Sequence, residues 1–424
     1  MLTLKQITEH TQEVIDRLKI KNFDARQVLE QVLEADRLRR TAQQEADAAL
    51  AEQNKLSKEI GMAMKQGRKE EAEQLKARVQ ELKEVSRLAG ERKEEAAAQT
   101  RALLLTIPNL PHPDVPTGTG AEDNLVVATG GAIPALEAEN KLPHWELADR
   151  YKLIDFECGV KITGAGFPVY KGQGARLQRA LINFFLDKAR DAGFLEVEPP
   201  YVVNEDSGIG TGQLPDKEGQ MYFAPLDNLY LIPTAEVPVT NMYRGEILNK
   251  EDLPIKNCAY SACFRREAGS YGKDVRGLNR LHQFNKVEIV CIDTPEHSWQ
   301  QLDQMVAYVQ TLVEALELPW RILRLCGGDM SFTSAMTYDF EVFSAAQERW
   351  LEVSSVSNFE SYQANRLMCR YRDPEKGITL CHTLNGSALA LPRIVAALLE
   401  NNQTPQGIRI PKALVPYTGF DFIR

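Results

Sequence analysis

Residues 258–292 read CAYSACFRREAGSYGKDVRGLNRLHQFNKVEIVCI, and this stretch decides the fold. Two apolar, aromatic runs, 258–264 and 284–292, flank a glycine-rich basic stretch at 268–281. Such runs on either side of a turn-forming segment predict two antiparallel strands joined by a loop. The first strand ends in Phe264-Arg265-Arg266-Glu267, and a guanidinium group at a rigid strand end can bind a phosphate through two hydrogen bonds. The tetrapeptide alone would also fit a surface ion pair.

The segments around this hairpin alternate between strands and helices. Helical stretches are predicted at 178–192 and 299–316, with strand-like runs before, between and after them. Strands mixed with grouped helices are typical of an α+β domain built on an antiparallel β-sheet flanked by helices.

The N-terminal region has a different texture, with no proline in the first 107 residues. Apolar or small residues recur there in steps of three and four, which defines one heptad seam per helix. The seam positions are Val28, Val32, Ala35, Ala42, Ala46, Ala49, Leu56, Ile60 and Ala63, then Ala72, Leu75, Val79, Leu82, Ser86, Ala89 and Ala96. Because Gly67 lies between the two series, we predict an antiparallel helical hairpin at about 27–100, reaching roughly 50 Å.

Four prolines between 108 and 116, followed by glycines, mark the end of the helical region. We therefore predict a helical arm domain at 1–107, a linker at 108–130 and a second domain at 131–424.

Charge and cysteine content narrow the possible classes of protein. The chain has 50 basic and 59 acidic residues, so a protein that coats nucleic acid through its overall charge is disfavoured. Seven cysteines are scattered and absent before Cys158, unlike a secreted disulfide framework. No apolar run approaches the ~20 residues of a membrane span, so we expect a cytoplasmic protein without a membrane partner.

Common nucleotide and metal motifs are missing from the sequence. Gly208, Gly210 and Gly212 do not open a dinucleotide-binding helix, and no phosphate-loop pattern occurs. The cysteine spacing does not fit a zinc site, so no structural zinc is expected.

Three segments together resemble the class II aminoacyl-tRNA synthetases. Phe264-Arg265-x-Glu267 is similar to the second motif of that class, and Gly193-Phe194-x-x-Val197-x-x-Pro200-Tyr201-Val202 to the first. Gly386-Ser387-Ala388-Leu389-Ala390-Leu391-Pro392-Arg393 is similar to the third motif, which ends in an arginine at the start of a helix. Their order along the chain matches that of the class.

Further segments resemble the seryl-tRNA synthetase family over nearly the whole chain. They are Thr234-Ala235-Glu236, Phe264-Arg265-Arg266-Glu267-Ala268-Gly269, His282-Gln283-Phe284-x-Lys286-Val287-Glu288, Glu352-Val353-Ser354-Ser355 and Thr383-Leu384-Asn385-Gly386-Ser387. The resemblance implies a class II catalytic and dimerisation domain, and a ligase that forms seryl-adenylate from L-serine and ATP. The seryl group then passes to the 3′-terminal adenosine of tRNA(Ser), and whether tRNA(Sec) is also charged stays open.

The family likeness also implies roles for individual residues. Arg265 would hold the α-phosphate, Arg393 the γ-phosphate and Glu267 the adenine side, as the catalytic set. The wider ATP-binding set would be Arg265, Arg266, Glu267, Glu352, Val353, Ser354, Ser355 and Arg393, with Glu352 and Ser355 binding Mg²⁺ through ATP. The serine pocket would consist of Thr234, Ala235, Glu236, Glu288 and Ser387.

The same likeness assigns the helical arm to tRNA and residues 193–202 to a homodimer interface. The arm candidates are Arg37, Arg39, Arg40, Lys55, Lys58, Lys65, Arg68 and Lys69, and simple solvation is the better interpretation for about half of them. One rival function is a ligase that loads a carrier protein, and another is a coiled-coil scaffold that only binds nucleotide.

Overall fold

The computed structural model describes residues 1–136, 141–216, 219–267 and 276–424. They form two compact units. The helical unit comprises Leu2–Lys19 and Phe23–Pro108, and the sheet unit comprises Met1, Ile20–Asn22 and Asn109–Arg424. Elements are numbered below in chain order.

The helical unit contains α1 (Leu4–Glu9), α2 (Thr11–Leu18), α3 (Arg26–Lys65) and α4 (Lys69–Leu105). With 40 and 37 residues, α3 and α4 measure about 60 and 55 Å. They pack against each other along their length, which confirms the predicted hairpin. The described seam positions are buried or half-buried, as in Val32, Ala42, Ala49 and Ala63 on α3 and Ala72, Leu82, Ala89 and Ala96 on α4.

Two polar residues of this hairpin show how its seam tolerates hydrophilic groups. Gln53 donates from Nε2 to the Leu82 carbonyl at 3.0 Å, so it bonds across the seam to the opposite helix. Asp36 is buried beside the seam and contacts Arg39 at 2.7 Å and Arg40 at 3.0 Å. Buried polar groups are tolerated when they are paired in this way.

The sheet unit begins with short elements around the first half of its sheet. These are β1 (Leu125–Gly130), α5 (His144–Arg150), β2 (Ile154–Asp155), α6 (Phe156–Ile162), β3 (Val169–Tyr170), α7 (Gly172–Asp191), β4 (Leu195–Glu196), β5 (Val202–Val203), α8 (Glu205–Thr211), β6 (Phe223–Ala224), β7 (Leu229–Leu231), α9 (Glu236–Asn241) and β8 (Ile247–Asn249). The stretch predicted as a linker ends in β1, at the edge of the main sheet.

Longer strands follow in the second half. They and their helices are β9 (Ile255–Phe264), β10 (Gln283–Asp293), α10 (Ser298–Ala315), β11 (Trp320–Arg324), β12 (Met336–Ser344), β13 (Arg349–Asn358), α11 (Ser361–Leu367), β14 (Arg370–Asp373), β15 (Gly377–Leu380), β16 (His382–Ala390), α12 (Leu391–Asn401), β17 (Gln403–Thr404), β18 (Gly407–Arg409), α13 (Val415–Thr418) and β19 (Phe422–Ile423). None of the helices in the described ranges has the length and apolar character needed to cross a membrane.

The main sheet has the strand order β1-β11-β12-β13-β16-β10-β9-β4. Every neighbouring pair is antiparallel except β4 and β9. The predicted hairpin is confirmed, since Phe264 at the end of β9 pairs with Gln283 at the start of β10. The predicted α+β class with an antiparallel sheet is therefore correct.

The two faces of this sheet differ in chemistry. Helices α7, α10 and α12 pack against one face, where Val287, Ile289 and Cys291 of β10 join the large apolar core. Because successive side chains of a strand point to opposite faces, Lys286 and Glu288 lie on the other face. That second face carries the candidate site.

Candidate active site

Polar side chains cover the second face of the sheet across four adjacent strands. On β12 and β13, Asp339 is the register partner of Ser355, and Glu341 is the partner of Glu352. On β16 and β10, Ser387 is the partner of Glu288. A face built from carboxylates, hydroxyls and amides suits a charged, hydrogen-bonding substrate rather than an apolar one.

The two predicted phosphate-binding arginines follow the two strands that flank β10, at the same end of the sheet. Arg265 directly follows β9, and Arg393 lies in the first turn of α12, directly after β16. Lys286, near the start of β10, pairs with both Ser261 of β9 and Ala390 of β16. The guanidinium carbon of Arg265 lies 5.2 Å from the centroid of the Phe284 ring. The sheet register therefore brings both arginine-bearing segments to one edge of the polar face.

Arg393 is held by three oxygen contacts. Its Nε donates to the carbonyl of Asn279 at 3.1 Å, and its Nη1 donates to the carbonyl of Glu352 at 2.7 Å. The carboxylate of Glu352 lies 3.5 Å from Nη1. These contacts fix the plane of the guanidinium group, so its direction is set before any ligand arrives.

Glu288 is a buried carboxylate with two polar partners. It accepts from Asn385 Nδ2 at 2.8 Å, and its other oxygen lies 2.5 Å from Lys286 Nζ. Burial raises the pKa of Glu288, while the charge of Lys286 and hydrogen bonds from Lys286 and Thr234 oppose the rise. Glu288 and Lys286 thus form a buried ion pair that binds to β16 through Asn385.

Glu236 is a second buried carboxylate on the same side. It accepts from Gln363 Nε2 at 2.7 Å, and Gln363 in turn accepts from the Thr383 hydroxyl at 2.7 Å. The backbone N–H of Glu236 donates to Thr234 Oγ1 at 3.2 Å. Burial, and next the nearby charge of Glu288, raise the pKa of Glu236 to about 7. Arg265 and Lys286 oppose both shifts, so four charges of mixed sign share this region.

The raised pKa of Glu236 makes stability depend on pH in a defined direction. The folded protein keeps a proton on Glu236 up to about pH 7, whereas the unfolded chain releases it near its ordinary value of 4.5. The folded state therefore loses stability as pH rises through this window. Glutamine cannot lose this proton. We therefore expect the advantage of Glu236→Gln over wild type in the free energy of unfolding to be about 2 kcal/mol larger at pH 8 than at pH 5.

Urea unfolding of both proteins at the two pH values measures this difference. Glu314→Gln, on the exposed side of α10, is the matched control and should show no pH-dependent difference. A Glu236→Gln gain that is the same at pH 5 and pH 8 would contradict the raised pKa.

Acidic residues also gather on β12 and β13. Burial and the charges of Glu352, Asp329 and Glu341 raise the pKa of Asp339, although a hydrogen bond with Ser355 opposes the rise. Asp339 Oδ1 is buried and has no hydrogen-bond partner among the described residues. Within the described ranges, no group of three or more His, Cys, Asp or Glu residues could hold a metal ion by itself.

The remaining predicted residues are placed differently. Glu267 adopts φ 49° after the strand and lies 3.3 Å from Arg280, whereas Arg266 is exposed with its guanidinium carbon 5.7 Å from the Tyr222 ring centroid. The side chains of Ala235 and Val353 pack in apolar clusters. Ser354 Oγ donates to the carbonyl of Ser387 at 2.6 Å, and Ser387 is itself buried. Ala268 and Gly269, and the rest of the predicted loop up to residue 275, lie outside the described residues.

Three polar residues near this site were missed by sequence reasoning, namely Asn279, Asp339 and Gln363, whereas Asn385 lies in a segment that resembles the family but was given no role. One of them carried a signal, because Asp339 is an acid at an alternate position within the apolar run 336–344. Gln363 and Asn279 reach the site only in the folded chain, because their partners lie far away in the sequence. No local sequence pattern therefore identifies them.

Comparison with known proteins adds an independent line of evidence. Residues 1–111 match a model described as the seryl-tRNA synthetase N-terminal domain. Residues 224–402 match a model described as the tRNA synthetase class II core domain for G, H, P, S and T.

Full-length relatives are similar along the whole chain. The chain is 53% identical to the serine–tRNA ligase of Salinibacter ruber, covering 99% of this chain and 98% of that protein. It is 48% identical to the serine–tRNA ligase of Akkermansia muciniphila, covering 100% and 99%. The crystal structure of seryl-tRNA synthetase from Pyrococcus horikoshii complexed with ATP superposes with a TM-score of 0.93 at 34% identity, covering 100% and 99%.

Proposed function

Because the chain belongs to the seryl-tRNA synthetase family, we propose that it activates L-serine with ATP and transfers the seryl group to tRNA(Ser). The observation that supports this proposal best is the polar sheet face, where Arg265 and Arg393 follow the two strands that flank β10 and two buried carboxylates lie nearby. A triphosphate requires cations at its phosphates, and an amino acid requires a carboxylate for its ammonium group.

In the first step, the carboxylate of serine attacks the α-phosphorus of ATP, and pyrophosphate leaves. Negative charge on the phosphate oxygens opposes this attack, so fixed cations at the phosphates lower the barrier. We assign the α-phosphate to Arg265 and the γ-phosphate to Arg393. The support for Arg393 is its orientation by the carbonyls of Asn279 and Glu352, and Glu267 would lie on the adenine side.

Mg²⁺ fits the acidic strand pair on chemical grounds. Glu352 and Ser355 would hold the ion together with phosphate oxygens of ATP, because carboxylate and hydroxyl oxygens are the ligands that Mg²⁺ prefers. Burial and the charges of Glu352, Asp329 and Glu341 raise the pKa of Asp339, and a divalent cation at this strand pair would oppose that rise. When bound, Mg²⁺ would supply charge neutralisation at the phosphates.

Serine would bind over β10 and the start of α9. Glu236 and Glu288 would take the ammonium group and the hydroxyl, with Thr234 and Ser387 beside them and the backbone of Ala235 lining the pocket. Both carboxylates are buried and already hydrogen-bonded, which supports a rigid polar pocket. Such a pocket rejects alanine by roughly 10⁴-fold in favourable cases, because buried polar groups would lose their partner.

The helical arm would bind tRNA through its exposed cations. Lys55, Lys58, Lys65 and Lys69 are exposed, and none forms an ion pair with the residues that the structure describes. Arg37, Arg39, Arg40 and Arg68 contact neighbouring acids instead, so the four lysines are the stronger candidates for phosphate contacts.

Residues 193–202 would form part of a homodimer interface. Leu195 lies on β4 at the edge of the main sheet and is 65% exposed, and Val202 is 43% exposed. Apolar side chains at an open sheet edge are commonly covered by a partner.

The expected site of action is the cytoplasm, where tRNA is charged. Residues 1–107 would be the tRNA-binding domain, 108–130 a linker and 131–424 the catalytic domain.

The function is tested by ATP–pyrophosphate exchange with each protein amino acid in turn, followed by charging of bulk tRNA. Exchange should depend on serine alone, and charging should label the serine-accepting tRNA. Exchange without charging would favour a carrier-protein ligase, and nucleotide binding without exchange would favour a scaffold.

Glu288→Ala tests the serine pocket within the same assay. We expect serine-dependent exchange to fall by about 10²-fold or more, since the buried carboxylate is lost while Lys286 stays unpaired. Exchange that survives intact would contradict a role for Glu288 in binding serine. Glu296→Ala, a carboxylate at the protein surface, is the control and should leave exchange unchanged.

A further inference from the structure

We propose that His144, held by Glu400, is a positioning residue that orients Arg393 toward ATP by fixing the segment 276–281, called here the return segment. The proposal rests on the proposed function, because it concerns how the ATP-binding arginine is held. His144 and Glu400 touch none of the predicted substrate-binding residues. They act through the backbone of the return segment, which leads back into β10.

The pair itself is fully buried, with both side chains at 0% exposure. His144 Nδ1 lies 2.7 Å from Glu400 Oε1, and the backbone N–H of His144 donates to the same oxygen at 2.9 Å. Gln347 Nε2 donates to Oε1 at 2.9 Å, and the Ser344 hydroxyl donates to the other carboxylate oxygen. Glu400 therefore fixes the ring of His144 from the side of α12.

The opposite nitrogen of the ring holds the return segment. The backbone N–H of Leu278 donates to His144 Nε2 at 2.8 Å. Nε2 must therefore be the acceptor, and Nδ1 carries the proton that points to Glu400. A Cβ atom on Gly277, where φ is +67°, would lie only 2.2 Å from Nε2. The backbone thus approaches the ring as closely as glycine permits.

A second contact from α5 reinforces the first. The guanidinium carbon of Arg276 lies 4.6 Å from the centroid of the Trp145 ring, which is within the range of a cation–π interaction. Two consecutive residues of α5 therefore hold the start of the return segment.

The return segment connects the His144–Glu400 pair to the candidate site through further hydrogen bonds. The carbonyl of Asn279, next to Leu278, accepts from Arg393 Nε at 3.1 Å. The side chain of Asn279 donates to Gln347 Oε1 at 3.0 Å, which closes a loop back to Glu400. Arg280 lies 3.3 Å from Glu267, the residue predicted for the adenine side. One buried imidazole thus sets the position of a carbonyl that orients Arg393.

A role in stability alone explains this arrangement less well. A buried carboxylate–imidazole pair contributes little stability compared with apolar packing, because both groups lose their hydration. What the pair supplies is direction, since its hydrogen bonds fix one backbone path at the edge of the site. The expected signature of a positioning role is an effect on ATP that serine does not share.

Two substitutions of His144 separate the two ends of the ring. In His144→Asn, the amide can replace Nδ1 and keep Glu400 paired, but it cannot reach Leu278. In His144→Gln, the longer amide can replace Nε2 and accept from Leu278. We expect His144→Asn to raise the KM for ATP in pyrophosphate exchange by about tenfold, with the KM for serine within about twofold. His144→Gln should recover most of the affinity for ATP.

Gln403→Ala is the matched control for stability. The side chain of Gln403 accepts from the N–H of Leu142 and donates to its carbonyl, each at 3.0 Å. It therefore connects the chain just before α5 with the chain just after α12, as the His144–Glu400 pair connects these two helices, but it does not bond to the return segment. It should lower the melting temperature and leave both KM values unchanged. Any one of three results would overturn the proposal. They are equal increases in the KM for ATP and for serine in His144→Asn, no recovery of ATP affinity in His144→Gln, and the same change in the KM for ATP in Gln403→Ala.

Arg276→Gln keeps the test decisive if the His144 variants do not fold. Arg276 is exposed, so its loss leaves the core intact, and we expect the KM for ATP to rise about threefold. An unchanged KM for ATP would overturn the proposal. A wild-type protein without serine-dependent exchange would instead overturn the proposed function, so the two failures are distinguishable.

Discussion

Arg265→Gln is expected to lower kcat/KM for serine-dependent pyrophosphate exchange by about 10³-fold. Arg265 follows β9 at the polar face, and its charge acts on both Glu236 and Glu288. Glutamine keeps most of the side-chain volume and removes the cation, so the loss reports the charge at the α-phosphate. Steady-state exchange kinetics, with circular dichroism to check folding, measure the effect.

The neighbouring residue provides the control for this experiment. Arg266 is exposed and lies over the Tyr222 ring, so Arg266→Gln should cost at most about tenfold. Equal losses in the two variants, or a folded Arg265→Gln protein within tenfold of wild type, would contradict the assignment of Arg265 to the α-phosphate.

Deletion of residues 28–97 is expected to abolish tRNA charging while serine-dependent exchange stays within about threefold of wild type. The deleted stretch lies inside the helical unit, and the predicted substrate residues lie in the sheet unit. Each activity would then belong to a separate part of the chain. Charging and exchange measured on the same preparation decide the question, and a parallel loss of both activities would contradict it.

A milder variant tests the same idea without removing the hairpin. Replacing Lys55, Lys58, Lys65 and Lys69 by alanine should weaken charging and reduce the slope of log affinity against log salt by up to about 3 to 4. The control replaces Lys76, Arg78 and Arg87, cations of α4 that contact nearby acids. If the control weakens tRNA binding as much as the four-lysine variant, the assignment of these four lysines to tRNA is wrong.

Local patterns predicted the elements of this fold better than the contacts between them. The heptad steps of the first hundred residues predicted α3 and α4 and most of their buried positions, because helical periodicity acts over a few residues. Likewise, the two β-prone runs around Arg265 predicted β9 and β10 as a hairpin. Asp36 was not expected inside the seam region, since its burial depends on Arg39 and Arg40.

The chemistry of the site was predictable only in part, for a similar reason. The family resemblance pointed to Glu236, Glu288 and Arg393 by their sequence neighbours, and these roles stay predictions. The chain of hydrogen bonds from Glu236 through Gln363 to Thr383 joins residues far apart in sequence. The anchoring of Arg393 by Asn279 likewise spans more than a hundred residues. Such contacts arise from tertiary structure, which no short motif encodes.

The alternation of chemistry along β10 has a genetic consequence. Val287 and Ile289 belong to the apolar core, whereas Lys286 and Glu288 belong to the polar face. Truncating a core side chain costs stability, typically about 0.5 to 1.5 kcal/mol for Ile→Val, without touching a substrate. Random mutagenesis should therefore recover heat-sensitive but active alleles at Val287 and Ile289, whereas substitutions of Lys286 and Glu288 should abolish activity, so that adjacent codons give different phenotypes.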